Sequence, residues 1–145
     1  MKFWRVTSFL MVCGSVAAAI CLPAAAQEEA ASSLSIELNG LQATEEGCRL
    51  TFVAANRLNE DITRAAYELA FFNEKGLVER LTVLDFQSLP ADQTKVRQFD
   101  LPDLDCGNLE RILVNDATAC EATDTAVCME RLETTTRDDA VVFGQ

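Results

Sequence analysis

From residue 34 onward, apolar and polar positions alternate with a period of two. In LSIELNGL (34–41), Leu34, Ile36 and Leu38 interleave with Ser35, Glu37 and Asn39, which predicts a strand with one buried face. GCRLTFVAAN (47–56) repeats the pattern, with Cys48, Leu50 and Phe52 on one side and Arg49 and Thr51 on the other. The segment DITRAAYELAFFNEKGLVERLTVLDF (61–86) is ambiguous: Ile62, Ala65, Ala66, Leu69 and Phe72 fit a helix, whereas Tyr67, Leu69 and Phe71 fit a strand. The NEKG stretch favours two strands joined by a turn, with Gly76 at positive φ, and the Val and Thr of RLTVLDF suit a pleated surface.

Further strands are predicted in QTKVRQFDL (93–101) and NLERILVNDA (108–117), separated by a polar connection. Residues 121–133 read as a looped or briefly helical excursion that Asp124 could cap, and ETTTRDDAVVF as a last strand. Six or seven short strands predict an all-β fold, an antiparallel immunoglobulin-like β-sandwich with a short disulfide-closed loop or helical turn near the C-terminus. The domain is expected to span residues 34–137, after a flexible leader at 27–33 and before a polar tail at 138–145.

The chain begins MKFWRVTSFLMVCGSVAAAICLPAAAQ, which has the three parts of a cleaved secretory signal: a basic start at Lys2 and Arg5, an apolar run, and Ala24-Ala25-Ala26 before Gln27. Cleavage after Ala26 takes away two of the 12 basic residues and none of the 23 acidic ones, leaving a formal charge of −13. So acidic a chain is repelled by nucleic acid and by anionic lipid, so neither is expected as a partner, and no membrane insertion is expected once the signal is gone.

Export decides how the remaining cysteines are read. Cys48, Cys106, Cys120 and Cys128 survive processing, an even number in an oxidising compartment, and are expected to form disulfides. Redox and zinc chemistry fit poorly, because there is no C-x-x-C pair and no histidine. Four cysteines allow three pairings; the one favoured is Cys48 with Cys106, a long-range tie, and Cys120 with Cys128, a local clip.

The segments GCRLTFVAANRL, YELAFFNEKGLVERLTVLDF, KVRQFDL, RILVNDATACE and AVCMERL, in that order, resemble a group of small exported proteins of alphaproteobacteria that carry no established activity and are often labelled by their export signal. Some of that group are called twin-arginine-signal proteins, and this chain departs from that label, because its Lys2 and Arg5 are not an arginine pair. The strand pattern also resembles immunoglobulin-like periplasmic modules, without the buried Trp of antibody domains: the only Trp is Trp4, in the signal. That likeness implies an architecture rather than an activity.

Catalytic patterns are scarce. Without histidine, Ser-His-Asp and Cys-His catalysis are excluded in their usual forms, and the chain has neither a phosphate-binding P-loop nor a dinucleotide-binding glycine pattern. Glu45-Glu46, Glu60-Asp61 and Asp138-Asp139 offer carboxylate pairs, which read as solvated loops. Asp100, Asp103 and Asp105 form an acidic cluster with calcium-ligand chemistry but not the spacing of a calcium loop, and read as a polar turn. No cofactor, metal or catalytic residue is therefore expected.

Phe71 and Phe72 cannot both enter one core from a regular strand. Phe72 is thus the candidate partner-binding residue, unless an edge or bulge lets the neighbouring chain cover it. The expected function is a non-enzymatic accessory module of the envelope that holds a protein partner on a sheet face or edge, in the periplasm or released from it. A carboxylate-based hydrolase acting on glycans, or a structural envelope protein without a discrete ligand, are the alternatives.

Overall fold

The structure, a computed structural model, describes residues 32–145; the signal at 1–26 and most of the leader lie outside the described residues. Among the described residues, eight strands form two four-stranded sheets. One sheet contains β1 (Leu34–Ala43), β2 (Gly47–Asn56), β5 (Thr94–Pro102) and β7 (Leu132–Thr136), in the order β5-β2-β1-β7. The other contains β3 (Ile62–Asn73), β4 (Val78–Leu89), β6 (Leu109–Glu121) and β8 (Val142–Gly144), in the order β4-β3-β6-β8. The sandwich expected from the period-two pattern is therefore present. Consecutive hairpins lie in opposite sheets, β1-β2 in one and β3-β4 in the other, while β5 and β6 return to flank β2 and β3, the crossing connectivity of immunoglobulin-like folds.

Three expectations change. The strands number eight rather than six or seven, because ETTTRDDAVVF breaks at Arg137–Val141 into β7 and β8. Each of these adds parallel to its neighbour, β7 to β1 and β8 to β6, so the sheets are not antiparallel throughout. The residues assigned to a polar tail instead supply β8, with Val141 and Phe143 buried: Phe143 packs against Phe52 at 5.5 Å, and that apolar contact draws the chain end into the sandwich. At the other end, the Ser33 carbonyl accepts from the Arg57 amide at 2.8 Å, so the last leader residue is already tied to the domain.

The core lies between the sheets. Leu34, Ile36, Leu38, Leu50 and Phe52 meet Tyr67, Leu69, Phe71, Phe86 and Ile112, all at most 1% exposed. Phe52 is its hub, with Phe86, Phe99 and Phe143 rings at 5.5 to 6.0 Å, inside the range of favourable edge and tilted aromatic pairs. Both disulfides have the favoured pairing. Cys48–Cys106 ties the start of β2 to a 3-10 turn at Cys106–Asn108, and Cys120–Cys128 ties the end of β6 to one turn of helix, α1 (Val127–Glu130). The N-cap of α1 is Ala126, without a side-chain cap, so Asp124 does not cap the helix as expected; it shapes the turn before it, its side chain accepting from the Ala126 amide at 3.0 Å.

Buried polar groups are satisfied. Asn56, the only fully buried polar residue among the described residues, donates to the carbonyls of Glu60 (2.9 Å) and Leu89 (2.7 Å) and accepts from the Leu58 amide (2.8 Å). It thereby pins the end of β2 to the end of β4 across the two sheets. Arg97 closes the same seam from β5, donating to the Phe86 carbonyl at 2.7 Å and the Ser88 carbonyl at 3.1 Å.

Candidate interaction face

The NEKG turn sets the geometry of the face. The Asn73 side-chain oxygen accepts from the amides of Lys75 (3.0 Å) and Leu77 (3.1 Å), and Gly76 takes φ +70°, a conformation that glycine adopts at little cost. This tight turn fixes the register of β3 against β4, with Phe72 opposite Val78, Ala70 opposite Leu81 and Glu68 opposite Val83. On its other side β3 sets Phe72 opposite Arg111, and β6 in turn sets Arg111 opposite Val142.

Because opposed residues share a face, Val78, Phe72, Arg111 and Val142 form one row across the outside of the sheet. Leu81, Ala70, Leu113 and Gly144 form the next. Of the six large apolar residues that are strongly exposed among the described residues, five belong to this face or its turn: Leu77, Val78, Leu81, Val83 and Val142, each 51 to 60% exposed. The other sheet differs. Its outer face carries the Arg49–Asp100 ion pair, a Gln98 to Thr51 hydrogen bond at 3.1 Å, and Glu37 held by Arg137 at 2.8 Å, with Val96 the one large exposed apolar side chain.

Phe72 lies at the middle of the apolar rows. Phe71 is fully buried on the core side and Phe72 half-buried on the outer side, the division that strand alternation requires. β3 is an interior strand, so Phe72 does not lie on an edge, but the expected alternative of a bulge is met in part: the register against β4 shifts between Phe71 and Phe72, and the Arg111 guanidinium lies over the Phe72 ring, 5.6 Å from its centre. Phe72, Gly76, Glu110, Arg111 and Val142 line an open cleft of about 310 Å³, an apolar floor with one cation and one carboxylate at its rim.

The acidic candidates are not brought together as a metal site. Asp100 is engaged by Arg49 through two hydrogen bonds of 2.6 and 2.9 Å, and this contact holds its carboxyl below the usual range. Asp105 caps the 3-10 turn by accepting from the Gly107 amide, and Asp103, at φ +60°, donates its own amide to the Glu46 carbonyl. Among the described residues no group of three or more carboxylate or cysteine side chains is placed to hold a metal ion. Of the carboxylate pairs, Glu60 accepts from the Thr123 amide, Asp61 from Ala91 and Asp138 from Ala140, so each fixes a loop. Glu45 and Glu46 border a second cleft of about 370 Å³ beside the Arg49–Asp100 pair.

These features define a disulfide-stapled β-sandwich with one polar and one apolar outer face. No protein-family model, curated protein or solved structure matches the chain. The two disulfides suggest an environment outside the cytoplasm, and no helix among the described residues is long and apolar enough to cross a membrane.

Proposed function

We propose that this protein is a non-enzymatic accessory module of the cell envelope, resident in the periplasm, that binds a protein partner on the outer face of the β4-β3-β6-β8 sheet. The observation that carries this reading is the concentration of exposed Leu and Val side chains on that one face, around Phe72 and Arg111. Contiguous apolar surface of this kind costs solubility unless something covers it. Covering the exposed halves of five aliphatic side chains would contribute roughly 4 to 7 kcal/mol, before the entropic cost of association is subtracted. Phe72, a rigid aromatic already held under a guanidinium, is suited to be the anchor, since aromatic and Arg residues dominate binding energy at interfaces. The signal-like start and the resemblance to exported alphaproteobacterial proteins support the envelope location.

Site-specific photo-cross-linking in the envelope tests the proposal. A probe at Leu113 or Val142 should yield a discrete heterologous adduct, reduced several-fold by Phe72→Ala, and probes at Thr51 or Gln98 on the polar face should not. Equal adducts from both faces, or none from Leu113 and Val142, would refute it.

A further inference from the structure

The apolar sheet also has an open border. β4, 12 residues long, is an outer strand, and among the described residues its far end is held by Arg97, which takes the Phe86 and Ser88 carbonyls. Among the described residues no side-chain or turn hydrogen bond reaches the backbone of Arg80 to Asp85. The direction of the free groups follows from the turn. Asn73 donates its amide to the Leu77 carbonyl and accepts from Gly76, so its backbone faces β4.

From Tyr67 to Asn73 the irregularities lie in the strands flanking β3, so Phe71, Leu69 and Tyr67 face β4 as well, opposite Arg80, Thr82 and Leu84. Leu81, Val83 and Asp85 must then turn their N–H and C=O groups outward.

We infer that this border pairs with that of a second copy of the chain, antiparallel about a two-fold axis through Thr82. Leu81 then lies opposite Val83 of the second copy and Val83 opposite its Leu81. Both residues face outward, so each pair exchanges two backbone hydrogen bonds, and four exposed aliphatic side chains gather in one cluster. A register centred on Val83 instead would set Leu81 against Asp85 of the second copy, an exposed aliphatic side chain against a carboxylate.

Charge does not oppose self-pairing at this border. The full chain carries a formal −11, yet Glu79, Arg80, Asp85 and the Arg64 bound to Asp85 at 3.0 Å sum to zero. Pairing would set two apolar faces side by side in a continuous eight-stranded sheet, and it stands whether or not those faces bind a partner. A seam of about six residues a side falls below the roughly 1,200 Å² of small stable interfaces, so a dissociation constant of about 10–100 µM is expected.

Sedimentation equilibrium on the purified mature protein should show the average mass rising towards twice the monomer between about 5 µM and 1 mM. Val83→Pro removes an outward amide and no bond to β3, and should stay monomeric over that range with unchanged circular dichroism. Thr82→Cys should form an intermolecular disulfide without reductant, because directly opposed positions that exchange no backbone bonds sit about 4.5 Å apart at Cα; Leu81→Cys should cross-link at least several-fold more slowly. Should Val83→Pro fail to fold, the contrast between the two cysteine variants decides. A monomer throughout the range, a dimer that survives Val83→Pro, or Leu81→Cys cross-linking as fast as Thr82→Cys would overturn the inference.

Discussion

Tyr67 is the only tyrosine in the chain, and its titration can be followed without interference from another. It is 1% exposed, its hydroxyl donates to the Cys128 carbonyl at 3.0 Å, and its ring stands edge-on to Phe86. Burial pushes its pKa well above the ordinary value, whereas in the unfolded chain it ionises near pH 10. A folded-state pKa raised in this way contributes stability that is fully present below about pH 10 and is lost as pH rises towards the folded-state value, at about 1.4 kcal/mol per pH unit. By pH 11.5 the loss is about 2 kcal/mol.

Tyr67→Phe abolishes that ionisation but also the hydrogen bond to Cys128, which costs about 1 kcal/mol at neutral pH. Urea unfolding of the two proteins between pH 8 and 11.5 should therefore show the wild type ahead by about 1 kcal/mol at the lower end and behind by a similar amount at the upper. Taking the difference removes the Lys and Arg titrations common to both. Absorbance of the tyrosinate should appear together with unfolding. A tyrosinate signal with a midpoint near pH 10 in protein that is still folded, or a wild-type advantage constant across the range, would refute the reasoning.

Asn56→Ala leaves the Leu89 and Glu60 carbonyls without their buried donor, and is expected to lower unfolding free energy by about 2–4 kcal/mol in urea titrations. Replacing Cys48 and Cys106 together by Ser opens a loop of sequence separation 58 and should cost up to about 4 kcal/mol, against about 2–3 for the Cys120 and Cys128 pair with separation 8; melting temperatures of the two double variants should fall in that order. Gly47→Ala would drive a methyl group into the Leu101 carbonyl oxygen where β2 meets β5, and a loss of about 1–3 kcal/mol is expected in the same assay.

Strand alternation was the most readable feature of the sequence. β1 and β2 each bury one face, so a period of two shows plainly in their residues, and the Asn-x-x-Gly turn carried its own conformational requirement. The disulfide pairing was legible because Cys48 shares the core-facing parity of Leu50 and Phe52. The C-terminal strands were harder. β8 has three residues, and a parallel edge strand that short is held by Phe143 fitting against Phe52, a contact 91 residues away along the chain that no local pattern reveals. Asn56 was likewise silent, because its importance comes from where the ends of β2 and β4 meet and not from its neighbours in sequence.

The apolar face was half legible, and the reason is instructive. In β3 the pair Phe71-Phe72 signalled that one aromatic must leave the core. In β4 the same logic applies to VERLTVLDF: Leu84 and Phe86 occupy the core parity, so Leu81 and Val83 must lie on the other side. A strand that is apolar at both parities normally signals burial on both faces, as in sheets covered by helices. Here neither the long helices nor a third layer needed to cover it exists among the described residues. The same sequence pattern therefore changes its meaning once the layers are counted: a strand apolar at both parities, in a sandwich that buries only one face, leaves Leu81 and Val83 of its second face in solvent.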